Sequence, residues 1–138
     1  MLSYYANTVL NPLLLRAMLA AIFIFHGYNL VGGDTELGSN WMPKELAQPA
    51  PVQMAAAWGE LVGGIALAFG FLTRIAALGI IAIMVGAIAQ VHWPNGFDIT
   101  KHGYEYNLAI ITMCACLVLG GPGPIAVDRW FSLRRQRE

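Results

Sequence analysis

Residues 52–92 read VQMAAAWGELVGGIALAFGFLTRIAALGIIAIMVGAIAQVH. Two long apolar runs meet there at Thr73-Arg74, and Glu60 and Arg74 are the only Asp, Glu, Lys or Arg residues in the stretch. About 20 predominantly apolar residues are needed to cross a bilayer as a helix, a length a soluble core helix does not require. A connection as short as Thr73-Arg74 leaves room only for an antiparallel helical hairpin. This stretch therefore predicts two adjacent membrane spans, over about residues 52–72 and 75–92.

A third run precedes them, from about Asn11 to Val31. Pro12 suits its first turn, where the missing N–H would be unpaired in any case, and Gly32-Gly33 stops it. A fourth, from about Tyr104 to Leu119, ends at Gly120-Gly121-Pro122-Gly123-Pro124. The expected fold is all-α, a four-transmembrane-helix antiparallel bundle forming one domain over residues 1–138. Its helices cover about 11–31, 52–72, 75–92 and 104–119, and a basic tail covers 122–138.

Composition agrees. Apolar residues make up 57 % of the 138 and charged residues 12 %, where a soluble domain carries about a quarter charged. The zero formal net charge implies no long-range attraction to nucleic acid. Cys114 and Cys116 point about 200° apart on a helix and cannot pair with each other; small packing residues is the ordinary reading. The first run lacks the basic residues that open a signal peptide, since Arg16 is the first positive charge. A retained membrane helix is expected.

Four spans put both termini on one side, together with Arg74 and the tail arginines Arg129, Arg134, Arg135 and Arg137, against Lys44 and Lys101 opposite. The excess of positive charge in cytoplasmic segments predicts cytoplasmic termini in a bacterial or archaeal plasma membrane. Trp130 and Phe131 beside the arginines suggest a segment lying on anionic headgroups, or an ordinary topology signal; both can hold.

Ionisable groups within membrane helices are unfavourable and are functional candidates by default. His26 lies about two turns inside the outer end of the first helix and Glu60 about two turns inside the outer start of the second. His92 closes the third helix and Glu105 opens the fourth, with Tyr104 and Asn107 adjacent and Tyr28, Asn29 and Gln90 near. These side chains predict a polar cluster at the outer end of the bundle, able to hold a polar ligand or pass protons. The competing reading is hydrogen bonding between helices that fixes their packing. Gly59, Gly63 and Gly64 have the small-residue spacing that lets membrane helices approach closely. No Cys or His cluster has metal spacing, and no Glu-x-x-His pair is present. Nucleotide-loop, hydrolase and flavin fingerprints are missing too. Neither a catalytic residue nor a bound metal or cofactor is assigned.

With those residues in view, the chain resembles the DoxX family of four-helix membrane proteins. The resemblance rests on Arg16 followed by Ile22-Phe23-Ile24-Phe25-His26-Gly27, on Trp58-Gly59-Glu60-Leu61-Val62-Gly63-Gly64, and on Phe69-Gly70-Phe71-Leu72-Thr73-Arg74. It continues through Val91-His92-Trp93-Pro94-Asn95-Gly96-Phe97, Gly103-Tyr104-Glu105-Tyr106-Asn107 and Gly121-Pro122-Gly123 with Val127-Asp128. Family members often carry Lys where this chain has Asn29, so a cationic contact there is not carried over. The family name comes from a subunit of an archaeal thiosulfate:quinone oxidoreductase, and other relatives are linked to redox-stress complexes or to assembly of membrane proteins. The resemblance thus implies a redox-associated accessory subunit that meets a quinone or similar small molecule, with a soluble or membrane partner supplying electrons. Two other readings stay open: a non-enzymatic scaffold or assembly factor, and a small-molecule transporter. The bilayer is the first expected partner, and a homo-oligomer is left open.

Overall fold

The computed structural model describes residues 2–135 and is helical, with no strand among them. Two short turns, Leu2–Tyr5 and Ala6–Leu10, lead into α1, Asn11–Gly32. Then come α2, Ala50–Phe69; α3, Thr73–Ala87, extended by a wider turn at Ile88–His92; α4, Glu105–Gly120; and α5, Val127–Arg135. Three of these segments, Ala6–Gly32, Ala50–Phe69 and Thr73–Asn95, are long and apolar enough to cross a membrane, and Glu105–Gly120 is a shorter apolar helix. Together they make a four-helix bundle in which α1 packs mainly on α2 and α3 mainly on α4. One end of the bundle carries the α2–α3 turn and α5 (the tail end). The other carries the connections 33–49 and 93–104 (the loop end).

Each helix buries one stripe at helical spacing: Arg16, Leu19, Ala20, Phe23 and Gly27 on α1; Gln53, Ala57, Gly63, Gly64 and Leu67 on α2; Thr73, Ala77, Ile80 and Met84 on α3; Asn107, Ile110, Cys114 and Leu117 on α4. The opposite faces expose Leu14, Phe25, Val62, Ile75 and Val85. In water so broad an apolar exterior would be a liability; in a bilayer it is the lipid-facing surface.

Glycine sets how closely α1 and α2 approach. A Cβ on Gly27 would stand 2.6 Å from Leu61 Cα, and one on Gly64 would stand 2.8 Å from Ile24 N and 3.0 Å from the carbonyl carbon of Phe23. The two backbones therefore touch at these levels. Gly63 and Gly59 face α3 instead, meeting only the side-chain ends of Ile80 and Ile83.

The α2 boundaries differ from the sequence expectation. The helix begins at Ala50, because Pro49 and Pro51 sit where no intrahelical N–H is needed, and it ends at Phe69 rather than near residue 72. Gly70 takes the left-handed conformation (φ +65°), and Phe71 N donates back to Ala66 O at 2.9 Å, a glycine-terminated helix end. α4 spans about 24 Å at 1.5 Å per residue, short of the roughly 30 Å hydrocarbon core. Over its loop end Tyr104 stacks on Trp93 and meets Phe97 edge-on, aromatic side chains of the kind that sit at the membrane interface.

Candidate functional site

The contacts between helices fix the height of each polar side chain. Gly27 lies against Leu61, Gly59 against Ile83, and Asn107 Nδ2 reaches Met84 Sδ at 3.4 Å. Counting along the axes from those contacts places His26, Glu60, Met84 and Asn107 within on the order of 6 Å of one level, about one helical turn. Glu60 is ten residues into α2, about 15 Å from its start and near the middle of the helix. It lies deeper than the sequence expectation placed it.

Two of the polar groups, Glu60 and Asn107, point inward. Glu60 continues the stripe Gln53, Ala57, Gly64 and Leu67, and is half-buried. Asn107 is 5 % exposed and begins the buried stripe of α4. His26 is exposed, its ring edge-on to Phe25. An imidazole, a carboxyl group and a carboxamide thus stand at about one level on α1, α2 and α4.

Glu60 has neither an ion-pair nor a hydrogen-bond partner among the described residues, His26 included. A carboxyl group turned inward at mid-helix without a partner is either held neutral or completed by a ligand, since an unpaired charge at that depth is costly.

The remaining predicted site residues form a separate group. His92 is about 12 Å nearer the loop end than Met84, and its Nδ1 lies 2.7 Å from His102 O. Asn95 Nδ2 donates to the same carbonyl. Glu105 accepts from Ile99 N at 3.0 Å, and Tyr104 is held between Trp93 and Phe97. These contacts build the 93–104 connection and leave His92, Glu105 and Tyr104 apart from Glu60. Asp98 also belongs to this connection: bonds from Thr100 Oγ1 and N hold its carboxyl group below the ordinary range. On the other side, Gln53 ties down the 33–49 connection. It accepts from Met42 N at 3.1 Å and donates to Gln48 O at 2.7 Å, while Trp41 Nε1 donates to its carbonyl. Among the described residues no three His, Cys, Asp or Glu gather in a metal-binding arrangement.

At the tail end the structure shows a buried polar node. Arg16 is 3 % exposed. Its Nε donates to Leu67 O at 2.9 Å, one terminal nitrogen to Ala68 O at 3.0 Å, and the other to Pro122 O and Ile125 O. A cation thus caps the exposed carbonyls of α2, where the helix dipole favours it. Asp128 adds a second tie from α5, accepting from Leu72 N at 2.7 Å and Thr73 N at 2.8 Å at the start of α3. These bonds hold Leu72 in the left-handed region (φ +47°), uncommon for a leucine. Asp128 N also donates to Gly70 O. The Arg16 donors all reach carbonyls, so the node fastens the α2–α3 turn to the tail and leaves little for a ligand. These ties join Arg16 to carbonyls more than fifty residues away, which one sequence cannot reveal.

Comparison with known proteins agrees with this architecture. The profile of the DoxX family matches residues 11–93. A protein of Haemophilus influenzae named only as uncharacterized is 30 % identical over 81 residues, covering 58 % of this chain and 54 % of the relative. The chain thus spans about half the length of that relative. No solved structure matches.

Proposed function

This chain belongs to the DoxX family of membrane proteins, and on that premise we propose that it is a redox-associated accessory subunit. The polar head of a quinone or similar small molecule is taken at the level of Glu60, Asn107 and His26. The observation that carries this reading is the unpartnered inward carboxyl group of Glu60 at that level. A quinone carbonyl is a hydrogen-bond acceptor that takes up protons when it is reduced. A protonated Glu60 and the Asn107 amide can donate to such an oxygen, and the His26 imidazole at the same level can take up or release a proton. No haem, flavin or iron–sulfur ligand pattern is present in the sequence, so electrons come from a partner subunit. The expected orientation keeps both termini in the cytoplasm.

The test is extraction of the gently solubilised protein followed by mass spectrometry of bound small molecules, with titration by a short-chain quinone. Glu60→Leu, which removes the donor that Gln would keep, should weaken binding about tenfold, the effect of losing one hydrogen bond to a strongly polar group, while the protein stays monodisperse. A sample without bound quinone, and with equal quinone affinity in Glu60→Leu, would sink the proposal.

A scaffold or assembly role is the second reading. The use of His92, Glu105 and Tyr104 inside the 93–104 connection favours it, because they shape a fixed surface at the loop end. On that reading Glu60→Leu changes stability or recovery of a partner and leaves small-molecule binding unmoved.

A further inference from the structure

The tail helix α5 is amphipathic and displays its apolar side chains rather than burying them. Val127, Trp130 and Phe131 fall within about 100° of one another around the axis. Trp130 and Phe131 are half exposed and pack edge to face. Arg134 lies in the same sector with its guanidinium 3.9 Å from the Trp130 ring centre, a cation–π contact. Such a face, with no cover among the described residues, needs an occupant that is apolar at one depth and negatively charged at the next.

The position of the helix supplies the rest. Asp128 holds the first turn of α5 to Gly70, Leu72 and Thr73, at the end of the bundle where α2 stops and α3 starts. The helix therefore begins at the level where the membrane spans end, which is headgroup level. Arg74 and Arg129 are the chain neighbours of the two bonded residues Thr73 and Asp128, and both are exposed. Asp128, the single acidic group here among the described residues, is engaged with backbone N–H groups, so Arg74, Arg129 and Arg134 dominate the local charge among them. Arg137, counted with them from the sequence, lies outside the described residues.

From these observations we propose that the tail end of the bundle is an anionic-lipid site. Arg74, Arg129 and Arg134 gather phospholipid headgroups of negative charge, and Trp130 and Phe131 enter the boundary between headgroups and acyl chains. The site is independent of the Glu60 level and sits at the tail end of the bundle. Aromatic and basic side chains on one short helix are the combination that holds interfacial helices in the plane of an anionic membrane.

Native mass spectrometry of the full chain, with phosphatidylglycerol and phosphatidylcholine added in equal amounts, tests this. The wild type should retain phosphatidylglycerol preferentially. Each arginine removed, as Arg74→Gln, Arg129→Gln or Arg134→Gln, should reduce the preference about fivefold, and raising salt toward 1 M should erase it. Trp130→Ala with Phe131→Ala should lower retention of both lipids alike and leave their ratio. Equal retention of the two lipids by the wild type would overturn the proposal. So would a preference unchanged in the triple arginine variant, or loss of the bound lipid to millimolar inorganic phosphate at constant ionic strength, which would mark a phosphate site instead. None of these variants touches the Arg16 bonds, and thermal unfolding of each checks that the bundle is intact.

Discussion

Replacing Gly27 by alanine tests whether backbone contact between α1 and α2 sets the geometry of the bundle. The new Cβ would stand 2.6 Å from Leu61 Cα and 2.7 Å from Leu61 Cβ. That falls about 0.8 Å inside ordinary van der Waals contact, and the obstacle is backbone, so α1 must move away from α2. Overpacking of this kind costs about 1–3 kcal/mol. Alanine's better helix propensity returns up to about 1 kcal/mol. Gly27→Ala should therefore destabilise by about 1–2 kcal/mol, and Gly64→Ala, with its milder conflict at Ile24 N and Phe23, by rather less. The two sites lie within about one turn on the same interface. A helix already displaced by the first alanine accepts the second at lower cost, so the double variant should lose less than the two single losses combined. Thermal unfolding in a fixed detergent, followed by tryptophan fluorescence, measures all three. Gly79→Ala is the control: nothing lies within 4 Å of a Cβ there, and it should be neutral or slightly stabilising. If Gly27→Ala behaves like Gly79→Ala, or if the double variant is strictly additive, close backbone approach is not what positions α1. Because His26 adjoins Gly27 and Glu60 adjoins Leu61, quinone affinity should also fall in Gly27→Ala without any change to His26, Glu60 or Asn107.

Arg16→Leu should be the most damaging single change at the tail end, on the order of 3–5 kcal/mol, since it leaves the carbonyls of Leu67, Ala68, Pro122 and Ile125 without their buried donor. Arg16→Lys should fall between, because one ammonium cannot reach all four acceptors in a planar fork; thermal unfolding ranks the set. Asp128→Asn should cost about 1 kcal/mol, the value of a negative charge at a helix N-terminus, and hydrogen exchange should report faster amides at Leu72 and Thr73. The 93–104 connection should loosen in acid. The Asp98 carboxyl group is held low by Thr100, so its contribution is present above the unfolded-state value of about 3.9 and disappears as pH falls through the lower folded-state value. Exchange of the Thr100 amide between pH 6 and pH 2 measures this, and in Asp98→Asn that acid-dependent change should vanish.

Much of the architecture was legible because it follows from one-dimensional quantities. The apolar run lengths predicted the spans, and Thr73-Arg74 predicted the hairpin, since neither depends on what the helices later touch. The end of α2 was misplaced because Phe71 and Leu72 are as apolar as the residues before them. Only the left-handed Gly70, with the bonds around it, shows that the helix has stopped. The candidate site was legible as a list of residues and not as a grouping. Glu60, His26, His92, Glu105, Tyr104 and Asn107 all lie in or beside membrane helices, but their heights depend on which helices touch and where.

The sequence alone therefore determined that this is an all-helical membrane protein, since charge-free apolar runs can satisfy their backbone only as helices in a bilayer. The tertiary structure decided the rest. It tied His92, Glu105 and Tyr104 into the 93–104 connection, left Glu60 without a partner among the described residues at the level of Asn107, and joined Arg16 to the tail beside Asp128. Those outcomes rest on distances between residues far apart in the chain, here set by the approach of α1 to α2 at Gly27 and Gly64, and no local pattern encodes such distances.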